Sequence, residues 1–284
     1  VLAPLGILSY MTLRQAKSII LFRFHQDPEV VVESIKTLRH FNPGLEIHAL
    51  YGGEPDDYAH ASEMVAGLVE SVWLYPEARD VDWKWKHTDL ILKQWFREFG
   101  HTLAFDFLFS YEYDLLTAAP LLELYPDIDD NTLALAACQE FTEEIEKGWS
   151  WTGREDRNQG YAKFVAYMKA HYGIARQAKV SLGPGPLLPR RFLEAWSQTE
   201  DIDLVHDEIA YPAYAEALGF KLVDHGMHPG FFVQEGQQYF TCRSDRMVSR
   251  ELIQEQLRDP HGRRSFHPVK YTITLEEIVQ MLET

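Results

Sequence analysis

The stretch FDFLFSYEYDLLTAAP, residues 105–120, is apolar or aromatic over most of its first half and then ends in two carboxylates one residue apart, Glu112 and Asp114. Such a pair can give a divalent cation one oxygen directly and a second through water, the usual way an ion bridging two phosphates is held. The same triplet is common in solvated turns, so its surroundings must decide between the two readings. An approach as apolar as FDFLFSY does not suit a surface turn. It suits a buried strand whose last residues emerge at the rim of a sheet.

Near the other end, RRSFHPVKYT sets His267 and Lys270 three apart around a proline-stiffened turn. A neutral imidazole can complete the coordination of Mn²⁺ or Mg²⁺, and an ammonium can neutralise a diphosphate. The segment DHGMHP, residues 224–229, offers His228 as a competing ligand, and either histidine can equally be an ordinary loop residue. Residues 143–160 read as a polar loop in which Trp149, Trp151 and Arg154 can stack a sugar ring, or in which the tryptophans anchor the loop to the core.

These residues need elements to position them. SIILFRF (18–24) reads as a strand, and Asp27-Pro28 then opens a helix with Val31, Ile35, Leu38 and Phe41 on one face. LEIHALY (45–51) is a second strand stopped by Gly52-Gly53, followed by a helix near 57–68 and the strand VESVWLY (69–75). A long helix from about Trp83 to Phe99 carries Trp85, Leu92, Trp95, Phe96 and Phe99 as a core-facing stripe. The strand ending on Glu112 comes next. Repeated strand–helix units imply a largely parallel α/β sheet covered by helices, because parallel strands need crossover connections. Ligands of such sheets gather at the carboxyl ends of the strands, where Arg23, His25, Gly52, Gly53, Glu112 and Asp114 all fall.

The second half is less regular. TLALAACQ (132–139) reads as a strand, 161–173 as a helix, SLGPGPLLP (181–189) as a Gly/Pro turn, 190–196 and 208–218 as helices, and FKLVD (220–224) as a strand. Helices near 249–258 and from Leu275 close the chain.

With 284 residues the chain can bury a full core. Lys and Arg total 27 against 43 Asp and Glu, a net charge of -16, which argues against nucleic acid or an anionic membrane as the main partner. Cys138 and Cys242 lack zinc-site or disulfide-framework spacing and read as free thiols of a reducing compartment, here the cytoplasm. The opening VLAPLGILSYM is too short to span a membrane and has no charged leader; a signal or anchor ahead of Val1 stays open. There is no G-x-S-x-G, G-x-G-x-x-G or P-loop, which counts against hydrolase, dehydrogenase and kinase readings.

Taken together, the apolar strand and its terminal Glu112-Tyr113-Asp114 resemble the Asp-x-Asp strand end of GT-A type nucleotide-sugar-dependent glycosyltransferases, with Glu in the first place. The resemblance implies a GT-A-like, Rossmann-like domain over 1–284, with a nucleotide-sugar-binding half at 1–115 and an irregular, acceptor-binding half at 116–284. It implies Asp114 as the direct ligand of a Mn²⁺ or Mg²⁺ ion, Glu112 as its helper toward metal and sugar, and a UDP- or GDP-sugar donor. SLGPGPLLPRRFLEAW resembles the family's acceptor-side turn and helix, and DEIAYPAYAEALGFKLVD its later acidic helix, where Asp207 or Glu208 would take the acceptor hydroxyl proton in an inverting enzyme. Acids are in any case favoured in a first helical turn. Lys86 and Asp89 lie where the family touches the donor, as would Arg23 and His25. His267 and Lys270 resemble a late His-x-x-Gly-x-x-Lys arrangement, shortened and without its glycine. Two other expectations stand beside this one: a sugar or nucleotide binder without turnover, and another Rossmann-like nucleotide-dependent transferase, such as a nucleotidyl- or methyltransferase.

Overall fold

The computed structural model describes residues 11–26, 28–77, 79–243 and 245–284. The first ten residues of the apolar opening and the expected helix cap Asp27 lie outside the described residues.

The first half runs β1 (Ser18–Phe24), α1 (Pro28–Phe41), β2 (Glu46–Tyr51), α2 (Tyr58–Met64), β3 (Ser71–Leu74), α3 (Val81–Lys86), α4 (Thr88–Glu98) and β4 (Phe107–Glu112). The short β5 (Leu116–Thr117) and α5 (Leu121–Leu124) lead into β6 (Thr132–Glu140). Then come α6 (Glu143–Gly148), α7 (Ser150–Gly153), α8 (Glu155–Tyr172), β7 (Lys179–Pro189), α9 (Arg190–Ser197) and α10 (Asp207–Ala217). The chain finishes with β8 (Lys221–Asp224), α11 (Arg250–Arg258), β9 (Ser265–Phe266) and α12 (Leu275–Glu283).

Seven strands form one sheet in the order β3-β2-β1-β4-β7-β6-β8. All of its pairings are parallel except the two made by β7, which runs against both β4 and β6. The expected α/β sheet, mostly parallel and covered by helices, is therefore the observed one. The central strands explain why they read as unbroken apolar runs: every residue of β1 is buried, and β4 is buried up to its last residue, because helices cover both faces. One core, with Leu92, Trp95, Phe192 and Trp196, lies on one face; a second, with Phe22, Ile35, Leu38 and Phe109, lies on the other. Each such aliphatic or aromatic side chain contributes about 1.5–3 kcal/mol by leaving water. Truncating Phe109 to Ala would cost about 3–5 kcal/mol.

Three sequence expectations are corrected. SLGPGPLLP is the body of β7 and not a turn; Gly183, Pro184, Gly185 and Pro186 fall where the ladder to β6 jumps from Leu182 to Leu187, so the prolines' missing N–H groups interrupt no bond in the ladder. Gly185, at φ +69, takes a conformation that side chains resist. The helix expected over 83–99 breaks at His87 into α3 and α4. The polar loop of 143–160 is helical: the Thr142 hydroxyl accepts from the Ile145 amide, and Glu143, Glu144 and Glu146 follow in the first turn, a cap-and-dipole signal that outweighs the polar composition.

Candidate active site

Glu112 is the last residue of β4, and Asp114 follows two places on at the carboxyl end of the sheet. What joins them to the far end of the chain is a two-residue ribbon: β5 pairs antiparallel with β9, and the Val269 amide donates to the Asp114 carbonyl at 2.8 Å. His267, directly after β9, is clamped by its own backbone, with its amide donating to Tyr239 and its carbonyl accepting from Thr241. The His267–Pro268 peptide is cis.

Glu112, Asp114 and His267 each offer one ligand atom within 4.8 Å of the others. His267 Nδ1 lies 2.7 Å from the Thr241 carbonyl oxygen, which can only accept, so Nδ1 carries a proton and Nε2 faces the acids. Nε2 is 3.5 Å from Glu112 Oε2 and 3.7 Å from Asp114 Oδ1, and Lys270 Nζ is 3.7 Å from Asp114 Oδ2. Those separations leave room for a cation at ordinary oxygen and nitrogen ligand distances from all three groups. The donor set, two carboxylates and one imidazole whose second nitrogen is tied to a carbonyl, fits a divalent cation.

The electrostatics agree. Burial opposes charge on Glu112, but the Arg23 guanidinium and His267 hold its carboxyl below the ordinary value. Burial, with the neighbouring charge of Glu112, raises Asp114. Burial also opposes charge on His267, yet Asp114 and Glu112 raise it. The place attracts positive charge, whether a proton or a metal ion.

Arg23, on β1 beside β4, donates to Glu112 Oε1 at 2.5 Å and is itself buried. Burial works against its charge, while Glu112 and, further off, Tyr211 and Asp207 hold it. Its charge thus answers to both acid clusters, by contact with Glu112 and at longer range with Asp207. The second cluster opens α10. His206 caps the helix: its Nδ1 accepts from the Glu208 amide at 3.3 Å and lies 2.6 Å from Asp207 Oδ1. One nitrogen cannot do both at once; a proton on Nδ1 satisfies Asp207 and releases the cap. The raised affinity of His206 for a proton, which its acidic neighbours create against the effect of burial, favours the Asp207 contact.

Asp207 also accepts from the Thr88 hydroxyl, which the break between α3 and α4 brings to it, and its carboxyl sits low despite burial because His206 and Thr88 stabilise its charge. Glu208 accepts from Trp151 Nε1 at 2.9 Å and from the Gly183 amide at 3.0 Å. Burial, assisted by Asp207, pushes its carboxyl up to about 7.

The structure thus groups Glu112, Asp114, His267 and Lys270, with Arg23 on Glu112, and separately Asp207 and Glu208. Asp89 is buried near the second group, and burial with the charge of Asp207 pushes it up to about 8. His25 is exposed, its ring edge-on to Tyr113 at 5.2 Å. Lys86 is half-buried at the end of α3, whereas the buried Lys84 reaches the Gly53 carbonyl at 2.9 Å. His228 is buried and its Nδ1 accepts from the Gly230 amide, outside the three-residue ligand group. Trp149 packs buried against Phe231, while Trp151 turns to Glu208. Trp85, expected in the core stripe, is 52% exposed and meets the His206 ring edge-on and Trp151 at a tilt. Sequence reasoning missed His206, whose signal was its place one residue before two acids at a helix start.

No protein-family model matches the chain, and no curated protein matches it in sequence. Among solved structures it is similar to a crystal structure of galactosyltransferase LgtC in complex with donor and acceptor sugar analogs: 14% identity, 72% of each chain covered and a TM-score of 0.38. An active-site mutant of LgtC gives 13% identity, 72% of this chain, 71% of that one and a TM-score of 0.38. At that level the activity of LgtC does not carry over to this chain. None of the described helices is long and apolar enough to cross a membrane.

Proposed function

We propose that this chain is a GT-A type glycosyltransferase that moves a sugar from a nucleotide diphosphate donor to an acceptor hydroxyl, with a divalent cation held by Glu112, Asp114 and His267. The observation that carries the reading is the convergence of those three groups, drawn from two segments far apart in the chain, at the carboxyl end of a mostly parallel sheet, with a second buried acid pair whose Asp207 also acts electrostatically on Arg23.

A Mn²⁺ or Mg²⁺ ion bound there would offset the charge growing on the leaving diphosphate. Lys270, exposed and paired with Asp114, adds a mobile positive charge on the same side. Arg23 keeps Glu112 ionised and aimed. Glu208 is the better proton acceptor of the acid pair: its pKa near 7 suits a base at neutral pH, whereas Asp207 is held low by His206 and Thr88 and is correspondingly weak. On this reading residues 1–115 chiefly hold the donor and 116–284 the acceptor, within one folding unit, and His267 and Lys270 reach back to the donor side.

The test is turnover of a panel of UDP- and GDP-sugars with Mn²⁺. Transfer or slow donor hydrolysis should appear, vanish with a chelator and return with added metal. Donor binding with no turnover across the panel would make the protein a binder; Mn²⁺ located away from Asp114 in a crystal would sink the site.

A further inference from the structure

Four tryptophans cluster in α3 and in the segment around α7, and two of them have clear structural work. Trp83 stacks on Tyr75 at 6.1 Å, and Trp149 packs buried against Phe231 at 5.0 Å. The other two meet over the second acid cluster: Trp85 lies 5.6 Å from Trp151 and 5.2 Å from the His206 ring, and Trp151 stacks on His206 at 4.2 Å. Three elements, α3, α7 and the cap of α10, therefore bring three rings to one place. The inner rings end on carboxylates, since Trp151 donates to Glu208 and His206 touches Asp207. The outer ring is left in water, at 52% exposed.

Leaving an indole exposed forgoes much of the largest hydrophobic gain any side chain can make, and neither anchoring nor the core accounts for it here. A second observation points the same way. The side chain of His206 is 6% exposed, and its Nε2 finds no hydrogen-bond partner among the described residues. A buried imidazole nitrogen without a partner beside a half-exposed indole is suited to a ligand that is apolar on one face and carries hydroxyls at its edge. A pyranose ring has both, with its C–H groups on the face and its hydroxyls around the rim.

We propose that Trp85, Trp151 and His206 form an acceptor subsite for an uncharged pyranose, stacked on Trp85 with a hydroxyl directed toward His206 and Glu208. This rests on the transferase reading and narrows its acceptor to a carbohydrate. The neighbouring Asp207, which stays ionised, together with the net charge of -16, selects against uronic and other anionic sugars.

The experiment needs neither donor nor metal. Methyl glycosides of neutral hexoses, with methyl glucuronide as the anionic comparison, are titrated into the intact protein, followed by indole fluorescence and saturation-transfer NMR. Neutral glycosides should bind with a shifted indole emission and the glucuronide more weakly. Trp85→Ala should weaken neutral binding at least about tenfold, and Trp85→Phe should recover most of it. Thermal melts check that both variants fold, and the phenylalanine variant keeps the test decisive if the alanine one does not. The subsite is overturned if no neutral glycoside binds the wild type, if both folded variants bind like the wild type, or if the glucuronide binds best. Donor turnover without glycoside binding would remove this subsite and leave the transferase reading standing; glycoside binding without donor turnover would do the reverse.

Discussion

The two acid clusters are built from the same residue types, two carboxylates and one histidine, and differ in wiring. In the first, His267 is tied through Nδ1 to the Thr241 carbonyl and turns Nε2 to Glu112 and Asp114. In the second, the acids are answered by protein donors, namely Trp151, the Gly183 amide and Thr88, and His206 spends Nδ1 on Asp207. The first has Arg23 and Lys270 on the outer oxygens of its acids, yet Glu112 Oε2, Asp114 Oδ1 and His267 Nε2 still face one point, which suits a cation. The second has its negative charge already hydrogen-bonded, and what it can vary is a proton. Composition alone cannot separate a metal site from a proton site; the partner of the far ring nitrogen can.

That contrast can be broken by substitution. Glu208→Gln should cut sugar transfer by about 10²–10⁴-fold while leaving Mn²⁺ affinity, measured calorimetrically, as in the wild type. A parallel loss of Mn²⁺ binding would merge the two clusters into one. Asp114→Asn should do the converse, weakening Mn²⁺ by about 100-fold, at the top of the range seen even for supporting groups around metals.

The proton side is sharpened by pH. Glu208 must lose a proton to act and keeps it up to about 7, so kcat/KM should fall roughly tenfold per pH unit below that value. A rate that stays flat down to pH 5 would remove Glu208 from that role.

The smallest effect concerns Asp89, whose carboxyl is raised from 3.8 to about 8 by burial and by Asp207. The folded state keeps a proton that the unfolded chain gives up, so stability from this group declines as pH rises from near 4 through about 8. Asp89→Asn copies the protonated form. It should melt like the wild type at pH 4 and at least about 2 °C higher at pH 9.

Much of the first half was legible because parallel strands buried on both faces advertise themselves as apolar runs. SIILFRF and FDFLFSYE could hardly be anything else, and the acids at the end of the second marked the sheet's carboxyl edge. His267 and Lys270 were legible as chemistry, but their meeting with Asp114 was not, since a pairing of Leu116-Thr117 with Ser265-Phe266 is too short to leave a pattern. β7 was misread because Gly and Pro usually punctuate; here they occupy a gap in the ladder. The helix break at His87 has no breaker residue, and the exposure of Trp85 follows from that break and from no local periodicity.

The ribbon of β5 and β9 has one more consequence. A growing chain that has made β4 and both acids still lacks the imidazole, which lies beyond residue 265, so the three-group ligand set exists only once the chain has been made through His267 and folded back onto the end of β4. A chain cut short before His267 would retain the sheet's acids yet lack the third ligand group, so a divalent cation held by all three would favour folded chains that extend past His267 over shorter fragments.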